Sequence, residues 1–226
     1  MPSATRKRVP SAPPHAPRVH DGAARQRILD AARIVFMRRG TAGARMQEIA
    51  AEAGVNQALL HYYFRTKAGL SGAVFEQFAS RLFPALVQIL GADLSLEEKA
   101  RGVINAYLDN LSRNPFLPGY VLSELHHHPE RVAQLVASAS GTNPRGVFPS
   151  ILRKLGTQIH ERVKAGTMRP IAPDQFVINL ISLCIFPFAA RPMLGIAFSM
   201  DDPAFARFIE RRRIELPAFF INALRA

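Results

Sequence analysis

The stretch from Met46 to Lys67, MQEIAAEAGVNQALLHYYFRTK, limits what this chain can fold into more than any other. Ile49 anchors a short helix, and Ala50 beside it is small enough for a second helix to cross closely. Gly54 falls just past the end of that helix, where a positive φ costs glycine little. Val55 plugs the corner, and Asn56 is a good N-cap for the helix that follows. Leu60 and Phe64, at an i, i+4 spacing, bury one face of it. The opposite face then offers Gln57, Ala58, His61 and Tyr62 to solvent. Two short helices joined by a tight glycine turn make a helix-turn-helix, whose second helix fits the major groove of DNA. Gln, His and Tyr on that face suit contacts to base edges and phosphates. Thr66 can cap a further helix, and the free amides of its first turn, with the Lys67 ammonium, make a phosphate site. A helix-glycine-helix alone also occurs in many enzymes; Tyr62-Tyr63-Phe64 with a lysine three residues on is far more specific.

No period-2 strand pattern with hairpin signals is present, so an all-α fold is expected. The first helix is predicted over about 22–39, with Ile28, Leu29, Ala32, Val35 and Phe36 on one face and Gly40 where a left-handed cap is wanted. Further helices are predicted over about 46–53, 57–63, 67–90, 96–113, 117–127, 131–139, 146–164, 173–190 and 203–224. Residues 1–20, rich in Pro, Arg, Ser and His, read as a disordered basic arm. It either follows the DNA backbone or is a solubilising leader.

Charge points the same way. Residues 1–70 hold 12 Lys/Arg against 4 Asp/Glu, and residues 71–226 hold 17 against 13. A basic N-terminal third joined to a more neutral body is the electrostatic footprint of a nucleic-acid module. The single cysteine, Cys184, excludes an intramolecular disulfide framework and a multi-cysteine zinc site. No apolar run follows the first residues, so a secretory signal is not expected and a cytoplasmic setting is. The apolar run from Phe176 to Ala190 is shorter than the roughly 20 residues of a spanning helix. It carries Asn179 and Ser182, and Pro187 and Pro192 are expected to break it. A buried helix, with no membrane partner, is the better reading. No G-x-S-x-G elbow, phosphate-binding glycine loop or H-E-x-x-H occurs, and Cys184 sits in apolar surroundings that suppress its thiolate. Neither an enzyme nor a cofactor is expected.

The pattern Ile49-Ala50-x-x-Ala53-Gly54-Val55 followed by Tyr63-Phe64-x-x-Lys67-x-x-Leu70 resembles the DNA-binding domain of the TetR family of regulators. The motif covers residues 45–75, and the helix before it, with Phe36 and Gly40, fits too. The resemblance implies a three-helix helix-turn-helix domain over 21–66 and a helical ligand-binding and dimerisation domain over 67–226. It implies phosphate contacts from Arg45, Tyr63 and Lys67, with Gln47, Gln57, Ala58, His61 and Tyr62 facing the groove. Tyr63 reads equally well as a packing residue. Two positions depart from the family: His61 stands where Tyr is usual, and Leu59 where Thr or Ser is. Leu59 either packs on a thymine methyl or points into the core.

In the body, the helices over Phe176–Ala190 and Pro203–Leu224 are the expected dimerisation elements, forming a four-helix interface between two copies. Tyr107, Leu111, Phe116, Tyr120, His127, Phe148 and Phe176 are candidates to line an apolar effector pocket, or are ordinary core. His126-His127-His128 is not read as a metal site, because consecutive helical side chains diverge by about 100°. The expected function is a homodimeric, sequence-specific transcription regulator, released from a palindromic operator on double-stranded DNA by a small apolar ligand. The rival is a protein that coats nucleic acid without sequence preference.

Overall fold

The computed structural model describes residues 19–127 and 144–226, with side chains over 22–122 and 148–226; among these it contains ten helices and no strand. The basic arm, the helix expected over 131–139 and the side chains of His126, His127 and His128 lie outside the described residues. α1 (Val19–Gly43) is interrupted by Gly40, at φ 66°, where the left-handed cap was expected. α2 (Met46–Glu52) and α3 (Gln57–Phe64) follow, then the long α4 (Lys67–Gly91). Ile28, Leu29, Val35 and Phe36 of α1 pack with Ile49 and Ala50 of α2 and Leu60 and Phe64 of α3. Leu70 and Val74 close this cluster from the first turns of α4.

A second, larger cluster fills the body. α5 (Leu96–Arg113) starts at a capping box, in which Ser95 accepts from the Glu98 amide and the Glu98 carboxylate accepts from the Ser95 amide. Its stripe of Leu96, Val103, Ile104, Tyr107, Leu108 and Leu111 packs against α4, α8 (Pro173–Ala189) and α10 (Asp202–Asn222). Phe176 of α8 meets Phe220 of α10 edge-on at 5.0 Å, and Phe188 meets Phe205 at 5.5 Å. α6 (Leu117–His127) and α7 (Pro144–Lys164) complete the body.

Two expectations are corrected. Pro187 does not break its helix; it lies buried inside α8. Its missing N–H leaves the Leu183 carbonyl without an i+4 donor. The Arg212 guanidinium supplies the substitute from α10, donating to that carbonyl from Nε at 3.2 Å and Nη2 at 2.8 Å. The second is an additional helix, α9 (Arg191–Phe198), begun by Pro192 in the first turn, where proline loses nothing. Among the described residues no single helix is long and apolar enough to cross a membrane, and α8 and α9 are bent by 67° at their junction.

Burial pushes the Cys184 thiol up to about 12, with Arg212 opposing only in part. The native protein is therefore expected to leave a thiol reagent such as DTNB unreacted at pH 8, and to react on unfolding. The sign of the linkage follows. The folded thiol keeps its proton where the unfolded one, near 8.5, has lost it. The thiol's contribution is therefore full below that value and falls as pH climbs toward 12. Rapid labelling of the native fold contradicts this.

Candidate nucleic-acid interface

The turn between α2 and α3 is built by a Schellman motif. Gly54, at φ 62°, donates to the Ala51 carbonyl at 3.1 Å, and Val55 donates to the Ala50 carbonyl at 3.0 Å. Asn56 then caps α3, its Oδ1 accepting from the Leu59 amide at 2.7 Å. Arg38–Glu52 at 3.0 Å and Arg39–Glu48 at 3.4 Å tie the end of α1 to α2. With Leu60 and Phe64 buried, α3 presents Gln57, Ala58, His61 and Tyr62 outward, Tyr62 at 72% exposure. Leu59 is half-buried.

The outward side chains are partly organised among themselves. His61 Nδ1 lies 3.0 Å from the Arg65 carbonyl oxygen, and Gln57 Nε2 lies 3.4 Å from His61 Nε2. Tyr62 meets Tyr63 edge-on at 5.2 Å, and Tyr63 is half-buried against the N-terminal cluster. Arg45 and Gln47 are exposed at the start of α2.

Lys67 is placed differently from a freely extended lysine. Its ammonium donates to the Ala42 carbonyl at 2.7 Å and the Ala44 carbonyl at 3.2 Å, so it clips the start of α4 to the turn before α2. Thr66 caps α4, its Oγ1 accepting from Gly69 N at 3.0 Å. Arg65, at φ 35°, is an exposed residue that motif reading missed; it sits at the exit of α3, next to the face described. A basic residue directly after Phe64 was the available signal.

The N-terminal cluster touches the body beyond α4. Arg33 Nε donates to Asn114 Oδ1 at 3.0 Å, Gln77 donates to Gln26 at 2.8 Å, and the rings of Phe36 and Phe116 stand 5.5 Å apart. Thus the corner between α5 and α6 bears directly on α1. The candidate pocket residues are not gathered into one wall. Tyr107, Leu111 and Phe176 lie in the body core, Tyr120 in a separate small cluster with Phe75, Phe116 at the junction, and Phe148 is 38% exposed. The side chain of His127 lies outside the described residues. A groove of about 640 Å³ runs instead between α5 and α10, past Arg101, Asn105, Pro217 and Ile221.

This is the geometry of a helix-turn-helix, and comparison with known proteins agrees. The family model described as bacterial regulatory proteins of the tetR family matches residues 28–80. The chain is 32% identical over 140 residues to the HTH-type transcriptional repressor SCO4008 of Streptomyces coelicolor, covering 56% of this chain and 68% of that one. It is 31% identical over 140 residues to the HTH-type transcriptional activator FasR of Mycolicibacterium smegmatis, covering 60% and 62%. It spans only 30% of the length of the Mycobacterium tuberculosis regulator Rv0472c, at 37% identity. In fold it is similar to the ketosteroid transcriptional regulator KstR2 of Mycobacterium tuberculosis, with TM-score 0.63 at 14% identity, over 89% of this chain and 95% of that one. HlyIIR, a hemolysin II transcriptional regulator, gives TM-score 0.55 at 22% identity, over 91% and 99%. The chain belongs to the TetR family of transcription regulators.

Proposed function

We propose that this chain is a homodimeric repressor that reads a palindromic operator through α3 and is released by a small apolar effector. The observation that carries this reading is the division of α3: Leu60 and Phe64 face the core while Gln57, Ala58, His61 and Tyr62 face outward, immediately after a tight glycine turn. In this reading Gln47 and the outward face of α3 enter the major groove, and Arg45, Tyr63 and Lys67 meet phosphates. Lys67 has three N–H donors; two are given to carbonyls, which leaves one for a phosphate. Residues 21–66 act as the DNA-binding unit and 67–226 as the effector and dimer unit. The protein works where the chromosome is, in the cytoplasm.

Dimerisation is assigned to α8 and α10. Ile178 and Phe186 of α8 and Phe219 of α10 are large, apolar and exposed, and a groove of about 490 Å³ runs between the helices past Leu183, Phe208 and Phe219. Replacing Phe186 with arginine puts one charge from each copy on the proposed seam. Sedimentation should then show monomers, with operator affinity down about 100-fold or more, because the second half-site no longer binds intramolecularly. An unchanged dimer contradicts the placement of the seam.

The effector acts by preferring one of two arrangements of the body, and it changes operator affinity only by that preference. Two routes carry the change to α1–α3: α4, clipped at Lys67, and the α5–α6 corner, through Arg33–Asn114 and Phe36–Phe116. At the DNA itself, Gln57→Ala should relax sequence choice. Lys67→Ala should weaken all duplexes alike and reduce the salt slope by about 1. Equal losses with unchanged preference in both variants count against these roles.

The rival reading, a coating protein, predicts salt-dependent binding with no preferred fragment. Capture of fragments from the organism's own chromosome under about 100-fold excess of random competitor separates the two, because specific sites outbind non-specific DNA by roughly 10³-fold or more. Retention of a few fragments supports a regulator, and uniform loss supports the rival.

A further inference from the structure

We propose that His61 is a positioning residue for sequence choice, holding the Gln57 amide in the orientation that reads adenine rather than guanine. The proposal rests on the reading of Gln57 as a base contact. It begins at the end of α3, where the Arg65 carbonyl lies 3.0 Å from His61 Nδ1. A carbonyl only accepts, so in the neutral ring the proton sits on Nδ1 and Nε2 is an acceptor. The group beside Nε2 is the amide nitrogen of Gln57, at 3.4 Å. Gln57 therefore turns its NH2 toward the ring and spends one N–H there. Its oxygen and its second N–H stay outward on an exposed helix face.

An acceptor beside a donor is the complement of adenine, whose N6 amino group donates and whose N7 accepts. The inverted amide would put its NH2 where the oxygen stood. That edge suits guanine, which offers the two acceptors O6 and N7. In a free glutamine the two orientations interconvert, and each base selects the one it needs. Here the chain Arg65–His61–Gln57 favours one orientation before DNA arrives.

The test uses the full-length protein and duplexes drawn from binding-site selection. Wild type, Gln57→Ala and His61→Leu are compared at the operator position whose preference disappears in Gln57→Ala. Wild type should favour adenine over guanine there by about tenfold or more, the range of a bidentate contact. His61→Leu should cut that ratio by roughly fivefold or more, chiefly by gaining affinity for guanine. An unchanged ratio in His61→Leu, with the preference abolished in Gln57→Ala, overturns the role of His61 and leaves Gln57 as the reader. No change of preference in Gln57→Ala removes the reading of Gln57 itself, and this inference with it. Nitrogen-15 NMR of the wild-type imidazole gives a second readout that needs no variant. Protonation of the neutral ring on Nδ1 is expected, and a ring protonated on Nε2 overturns the relay.

Discussion

Replacing Phe36 with alanine should destabilise the protein by about 3–5 kcal/mol, the usual cost of emptying a phenylalanine site in a packed core. The ring is fully buried among Ile28, Leu29, Ile49 and Leu60 and stands 5.5 Å from Phe116 at a 55° tilt. At the size of this chain the loss corresponds to roughly 6–20 °C in Tm. Phe36 also bridges α1 to the α5–α6 corner, so the variant should bind DNA less well at temperatures where it is still folded, and respond less to an effector. Phe36→Leu keeps most of the volume and should recover much of the stability. Chemical denaturation of both variants checks this; a loss below about 1 kcal/mol in Phe36→Ala contradicts the packing.

The second large effect is an asymmetry between two partners. Lys99 is 0% exposed, and its ammonium donates to Gln158 Oε1 at 2.7 Å across from α7. Gln158 in turn donates to the Leu94 carbonyl at 2.9 Å, and Lys154 to the Gly91 carbonyl, so α7 staples the loop between α4 and α5. Gln158→Leu strips a buried ammonium of its acceptor and should cost about 2–3 kcal/mol near neutral pH. Lys99→Met removes the buried charge and leaves only the neutral Oε1 of half-buried Gln158 without its donor, so it should cost less than Gln158→Leu. The double variant should therefore recover the part of the Gln158→Leu loss that belongs to the stranded ammonium, but not the lost bond to the Leu94 carbonyl.

The pH dependence has a definite sign. Desolvation first, then repulsion from Lys154, holds the Lys99 ammonium below the ordinary lysine range, with Asp93 opposing. The folded state thus binds fewer protons at this site than the unfolded state, and stability rises with pH as the folded site loses its proton. Measured against Lys99→Met, the deficit of Gln158→Leu should shrink as pH climbs toward the unfolded lysine value near 10.4. A deficit that grows with pH contradicts the burial of the charge.

The features legible in the sequence are those whose signal and effect lie within a few residues. Gly40 and Gly54 both adopt positive φ, Asn56 and Thr66 both cap, and Leu60 and Phe64 both bury, because each depends on its own turn of chain. What escaped depends on a partner far along the chain. Pro187 looks like a breaker until Arg212, 25 residues later in sequence, donates to the carbonyl it abandons. Lys99 sits on the buried stripe between Leu96 and Val103, but its charge reads as surface until Gln158 is in place. Lys67 reads as a phosphate ligand from its motif, and the carbonyls it holds become visible only when the Gly40 turn brings Ala42 and Ala44 against α4. Among the residues offered as pocket lining or ordinary core, Tyr107, Leu111 and Phe176 share the body cluster and Tyr120 lies in a smaller one, a division that only packing reveals.

Selection of binding sites from a randomised duplex library, near physiological salt, tests the central claim most directly. The expected result is an inverted repeat whose half-sites lie about one helical turn apart, matching two copies of α3 related by a two-fold axis. Binding without an enriched motif, or a motif with no internal symmetry, would contradict a dimer that reads its operator through α3.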